Sequence, residues 1–164
     1  MEQNPVVACR EILKNCTPLE TDCGQFCGAA CCQSLPGEET GMLLFPGEDM
    51  YYQGLSGWRI IQTASGNMIV CNGTCERDDR PLSCRLFPLL PLIRDYTVRV
   101  TMDARAAAVC PLYRSGASGL RKEFVEAVRT CGQILEDDPT QLQFLQQLTI
   151  QHDELRSLQR SFGR

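Results

Sequence analysis

Eleven cysteines and a single histidine stand in a chain of 164 residues, and the cysteines are bunched. Cys23, Cys27, Cys31 and Cys32 fall inside one stretch, Asp22-Cys23-Gly24-Gln25-Phe26-Cys27-Gly28-Ala29-Ala30-Cys31-Cys32. Cys71, Cys75 and Cys84 follow, and then Cys110. Thiolate is the ligand of soft and borderline metals. A tetrahedral zinc site gathers sulfurs about 2.3 Å from the ion, and an iron–sulfur cluster asks for the same donors. Thiolates held that close repel or oxidise unless a cation lies among them. Cys23, Cys27, Cys31, Cys32, Cys71, Cys75, Cys84 and Cys110 are therefore the expected ligands of one or two centres of zinc or iron, an iron–sulfur cluster included.

The spacing leaves the element open. The three-residue gaps of Cys23–Cys27–Cys31 and Cys71–Cys75 differ from the two-residue gaps of common zinc ribbons and bacterial ferredoxins. Side chains of adjacent residues tend to diverge, so Cys31 and Cys32 are expected to face two centres, or to divide between binding and packing. Arg77, Arg80 and Arg85 bracket Cys84. A guanidinium just outside the sulfurs offsets their charge and donates hydrogen bonds to them. Arg85 and Arg80 are the candidates for that role; solvated loop arginines are the bland alternative.

The length suits one domain with a real core, so disulfides are not needed to reach stability. Residues 1–113 read as a cysteine-rich core and 114–164 as a C-terminal helical pair. A net charge of −4 gives no basic face for nucleic acid and no attraction to an acidic membrane surface. The N-terminal residues show no basic region and no apolar core of a signal peptide. The apolar run 86–93 is broken by Pro88 and Pro91 and is far short of the ~20 residues of a membrane span. The expected location is the cytoplasm, where thiols stay reduced and a cysteine-rich chain points to metal or redox chemistry. The odd cysteine count agrees, since full pairing would leave a thiol over.

The elements that must position the thiols can be read in order. Residues 4–16 form a helix, capped by Asn4 with Pro5 first, and Val6, Cys9, Leu13 and Cys16 share its face. Cys9 and Cys16 are simplest as small buried groups. The cysteine stretch reads as a loop running into a helical turn, because Gly24 and Gly28 each cost ~1 kcal/mol in a helix. Pro36-Gly37, Pro46-Gly47, Gly54 and Gly57 punctuate short extended pieces at 42–45 and 50–52. Segments 58–62 and 67–71 pair as a hairpin that delivers Cys71. Residues 72–95 read as loop, their prolines forbidding a helix. The alternation from Tyr96 to Met102 predicts a half-buried strand, and Asp103 caps a turn over 104–109. Leu120, Phe124, Val128, Cys131 and Leu135 stripe a helix over about 118–136. Asp138 caps and Pro139 starts a second helix, striped by Leu142, Leu145, Leu148, Leu155, Leu158 and Phe162.

Other signals carry less chemistry. His152 falls near the stripe of the last helix and reads as a satisfied histidine. Glu38-Glu39 and Glu48-Asp49 sit beside Gly-Pro turns and read as solvated surface. No Gly-x-Ser-x-Gly, phosphate-binding loop or dinucleotide fingerprint is present.

Cys23, Cys27, Cys31-Cys32, Cys71, Cys75, the box Arg80-Pro81-Leu82-Ser83-Cys84-Arg85-Leu86-Phe87-Pro88 and the late Cys110-Pro111 together resemble the YkgJ-type cysteine-cluster family. The resemblance covers about residues 22–111, and the arginine–proline–cysteine box is its most specific part. The first block is spaced by three residues where two is common, and Glu76-Arg77-Asp78-Asp79 stands where an aromatic stretch is usual. The resemblance implies chelation of zinc or iron by cysteine and supplies no defined reaction; a related domain accompanies flagellin lysine methylation. The expected protein is a small α+β domain with short irregular strands, a cysteine-lined metal centre and an antiparallel C-terminal helix pair. A mainly α fold with irregular loops is the alternative. Its expected function is metal binding without catalysis. An iron–sulfur redox carrier or cluster-dependent enzyme is the first alternative, and an exported disulfide protein the second.

Overall fold

A computed structural model describes residues 3–33 and 39–163. The turn expected at Pro36-Gly37 and one half of the acidic pair, Glu38, lie outside the described residues. The fold is α+β. In chain order it runs α1 (Pro5–Ile12), α2 (Cys23–Cys27), β1 (Met42–Leu43), β2 (Trp58–Thr63), β3 (Gly66–Cys71), α3 (Leu82–Leu86), β4 (Leu89–Arg94), β5 (Thr97–Met102), α4 (Ala106–Val109), α5 (Lys122–Glu136) and α6 (Pro139–Phe162). Short 3₁₀ turns join several of these, among them Ala30–Cys32 and Glu48–Tyr51. The second of these turns occupies most of the 50–52 piece that the flanking Pro-Gly and Gly breakers predict to be extended.

Two antiparallel sheets result, one of three strands in the order β1-β3-β2 and one a β4–β5 hairpin. The β2–β3 hairpin forms as expected and ends with Cys71 opposite Trp58. The second hairpin departs from the sequence reading. Residues 72–95 are not a loop: Pro81 precedes α3, whose first residue is Leu82, and Leu89–Arg94 is a strand despite Pro91. Proline at the start of a helix gives up no helical bond. Within β4, Ile93 N donates outward to Thr149 Oγ1 at 3.0 Å. Pro91, two residues away, turns its nitrogen to the same outer edge, so the missing N–H removes no ladder bond. Tyr96 does not join the strand. It sits with Asp95 at the two-residue tip, both at positive φ, and is 96% exposed. That is the backbone a tight hairpin requires.

The core lies between the β4–β5 hairpin and helices α1, α5 and α6. Val6, Cys9 and Leu13 from the first helical segment meet Phe124, Val128, Cys131 and Leu135 of α5, with Leu82, Leu86 and Leu89 beneath. Phe45 and Phe144 meet edge to face, centroids 5.0 Å apart. The expected α5 stripe is buried throughout. The α6 stripe is rotated from expectation: Gln141, Phe144, Leu145, Leu148, Thr149 and His152 face inward, whereas Leu158 and Phe162 are 55% and 84% exposed. Arg156 and Gln159 still reach the body there, donating to Tyr113 OH at 2.6 Å and Ala104 O at 2.8 Å, so Leu158 and Phe162 lie off the face that meets it. Among the described residues no helix is long and apolar enough to cross a membrane.

Gly132 marks the closest approach of α5 to the hairpin. A Cβ there would lie 2.6 Å from Val98 Cγ1 and 3.0 Å from Pro91 Cβ. Gly132→Ala would gain about 1 kcal/mol of helix propensity and lose about 1–3 kcal/mol to overpacking. We expect a net loss of stability in urea denaturation, while Phe162→Ala stays within about 0.5 kcal/mol of the parent.

Candidate metal centre

Each cysteine segment has its own local cause. Asp22 caps α2, its Oδ1 accepting from Gly24 N at 3.1 Å. Gly28 ends the helix at φ 66°, a left-handed turn that suits glycine. The order is thus helical turn first and 3₁₀ turn second, with Cys23 and Cys27 on α2 and Cys31 and Cys32 on the turn after it. Cys71 ends β3, Cys84 lies in the middle of α3, and Cys110 caps the C-terminus of α4.

These segments meet around one cavity of about 280 Å³, walled by Cys23, Cys31, Cys32, Cys71, Cys75 and Cys84 together with Trp58, Met42 and Phe87. Cys27 and Cys110 are not in that wall. They lie near enough to Cys23 that their charge raises the pKa of its thiol. Cys27 Sγ donates to Cys23 O at 3.6 Å. All eleven cysteines are free thiols. The Sγ atoms of Cys31 and Cys32 are 3.9 Å apart, so this pair converges rather than diverging. Among the described residues no three or more His, Cys, Asp or Glu side chains are already drawn in to the spacing of a bound ion.

Burial governs the protons. It pushes Cys84 well up, and Cys32, Cys75 and Cys71 push the same way. It lifts Cys23 to about 11, with Asp22, Cys27 and Cys110 adding to the effect against Arg80. It also raises Cys71 and Cys110. The adjacent pair splits. The hydrogen bond between them raises Cys31, and the same bond, helped by Arg80 and opposed by burial, lowers Cys32 to about 6.

The two arginines part company. Arg80 faces the cavity. Burial lowers its pKa, but hydrogen bonding to Cys75 and to Asp22, the latter at 3.4 Å, more than reverses that. Arg85 does not reach sulfur in this way. Its donors are taken up by carbonyls: Nε by Arg80 O at 2.8 Å, Nη1 by Arg10 O at 3.3 Å, and Nη2 by Arg77 O at 3.0 Å and Asp78 O at 2.8 Å. Its position beside Cys84 in the sequence misleads, because on a helical turn adjacent side chains point about 100° apart. Arg85 is a backbone clamp for residues 77–80.

Glu48 is the residue that sequence reasoning missed. It is fully buried, not solvated. Its Oε1 accepts from Leu82 N at 2.7 Å and Arg10 Nη1 at 2.8 Å, and Oε2 from Phe45 N at 3.2 Å. Tyr52 OH accepts from Arg10 at 2.8 Å and donates to Asp79 O at 2.7 Å. Phe45 is the local partner, three residues away; Arg10 and Leu82, which complete the burial, lie far away in sequence. His152 stands apart from the cysteines, its Nδ1 accepting from Ala104 N at 3.4 Å.

Compared with protein-family models, with curated proteins and with solved structures, the chain matches none. The donor chemistry therefore has to be judged on this molecule alone. Glu48→Ala would strip the acceptor from three buried donors and should cost about 3–5 kcal/mol. Glu48→Gln, which keeps the shape, should cost about 1–3 kcal/mol. Chemical denaturation of the two variants checks the order.

Proposed function

We propose that this protein binds zinc or iron through cysteine thiolates and that the ion completes its fold. The observation that carries the reading is the cavity wall. Sulfurs of Cys23, Cys31, Cys32, Cys71, Cys75 and Cys84, from segments far apart in the chain, surround one space. Arg80 lies against that wall as a fixed cation that moderates the negative charge of several thiolates around a divalent ion. Cys27 and Cys110, near Cys23, are the further candidate donors. The ligand sulfurs move inward when the ion enters, as expected where binding and the last step of folding are one event. The resemblance of Arg80–Pro88 to the YkgJ-type box supports the same reading, and a reducing compartment such as the cytoplasm suits it. The ion acts in structure, and the protein assigns itself no reaction.

Protein purified without oxygen should carry stoichiometric zinc or iron by elemental analysis. A colourless zinc protein excludes the redox-carrier alternative, whereas a visible, reducible chromophore selects an iron–sulfur cluster. Removing the ion with a chelator should lower the melting temperature and the ellipticity together. A melting curve indifferent to chelation would overturn the structural role.

Proton linkage gives a second test. The buried thiols hold their protons at neutral pH, because burial raises Cys23, Cys71, Cys84 and Cys110. An ion must displace those protons, so affinity rises with pH and falls as pH is lowered. The slope is up to about tenfold per pH unit for each proton released. Competition titrations at several pH values read that slope directly.

A further inference from the structure

We propose that Cys31 and Cys32 act as one bidentate site, a vicinal dithiol that takes a single thiophilic centre through both sulfurs. The naturally bound ion follows from the proposed metal function, but the pairing itself does not depend on it. The chemical class of ligand is a small thiophilic cation or element: zinc, ferrous iron or trivalent arsenic.

The argument begins with the backbone. Adjacent residues in a strand send their side chains to opposite faces. In a 3₁₀ turn they differ by about 120°, so it is the sulfur separation itself that shows these two side chains leaning together. Ala29, at φ 55°, turns the chain sharply after Gly28 and sets Ala30–Cys32 into such a turn. The two Sγ atoms then lie 3.9 Å apart. Sulfurs about 2.3 Å from a tetrahedral ion are separated by about 3.8 Å. The pair already forms one edge of that tetrahedron, and a ligand bridging it need not rearrange the chain first.

Access and surroundings agree with the spacing. Cys31 is exposed and Cys32 half-buried, so reagent reaches both from solvent. Both open onto the cavity that Cys84, Cys71 and Cys75 line, which places further sulfurs behind the pair. Arg80 lines the same cavity. Two sulfurs facing separate centres would have no reason to share this edge.

The test uses the full-length, fully reduced protein and its Cys31→Ser, Cys32→Ser and double variants, with two probes. The first is phenylarsine oxide. Two arsenic–sulfur bonds form, the arsenic–oxygen bond breaks, and that oxygen leaves with both thiol protons as water; nothing is oxidised or reduced. Mass spectrometry of the intact chain counts adducts. Each single variant should lose one equivalent, and the double variant the same one and no more. An unchanged count in the single variants, or loss of two equivalents in the double, overturns the pairing. The second probe is zinc, loaded without oxygen and counted per chain. It should fall by the same one ion in all three variants. Loss of different ions, with two lost in the double, would mean separate centres. If the parent holds no zinc or iron while the arsenic counts follow the expected pattern, the metal function fails and the dithiol site stands. Circular dichroism of the reduced variants confirms that they fold.

Discussion

A single buried carboxylate ties the cysteine-bearing segments to the helical core. Glu48 has no solvent contact, and a charge in that position is tolerable only if fully paired. Its donors come from three separate parts of the chain: Arg10 on α1, Phe45 before the turn and Leu82 at the start of α3. Take Glu48 away and α3, which carries Cys84, loses the hydrogen bond that seats its first residue. Arg10 extends the tie through Tyr52 to Asp79, and Arg85 adds carbonyls from Arg77, Asp78 and Arg80. The stretch between Cys75 and Cys84 has little regular structure beyond a single 3₁₀ turn. Guanidinium-to-carbonyl bonds are what give it a shape.

This arrangement separates two tasks. Helices α1, α5 and α6 on the β4–β5 hairpin supply apolar burial that asks nothing of the thiols facing the cavity. Cys9 and Cys131 belong to that side: both are fully buried, and each thiol lies against the other's carbonyl, at 3.5 and 3.7 Å. They behave as small apolar groups with weak donors. The cavity cysteines have the opposite character. They sit on short helices, a strand end and turns, where few backbone bonds hold them, and burial makes their ionised forms costly. The apolar core and the thiol-lined cavity are thus built from different side chains.

What could be read from the sequence was what is local. Asn4 and Asp138 as caps, the β2–β3 hairpin, the α5 stripe and the buried Cys9 and Cys131 all follow from periodicity or from one residue's reach, and the structure has each of them. The α+β class follows from the same signals. The larger failures are non-local. Pro91 forbids a central strand but not an edge strand whose outer side meets Thr149. Leu158 and Phe162 keep the helical period but lie off the face from which Arg156 and Gln159 reach Tyr113 and Ala104. Glu48 looks like surface because the Pro46-Gly47 turn beside it predicts exposure, and only the return of α1 and α3 to that turn buries it. At the site, the gathering of Cys23, Cys31, Cys32, Cys71, Cys75 and Cys84 was legible as a composition, whereas the roles of Arg80 and Arg85 were not. Sequence places both next to Cys84; the fold turns one toward sulfur and the other toward carbonyls.

The adjacent cysteines show how a single backbone choice changes the chemistry available. In an extended chain Cys31 and Cys32 would point apart, and each would need partners of its own. Gly28 and Ala29, both left-handed, break the run from α2 and fold the next residues into a tight turn. The sulfurs then converge and open together onto the cavity. Had α2 continued through residue 31, Cys31 would have aligned with Cys23 and Cys27 on one helical face and Cys32 would have turned away by about 100°. The helix break at Gly28 therefore decides which sulfurs can meet, and it does so without any contact to the sulfurs themselves.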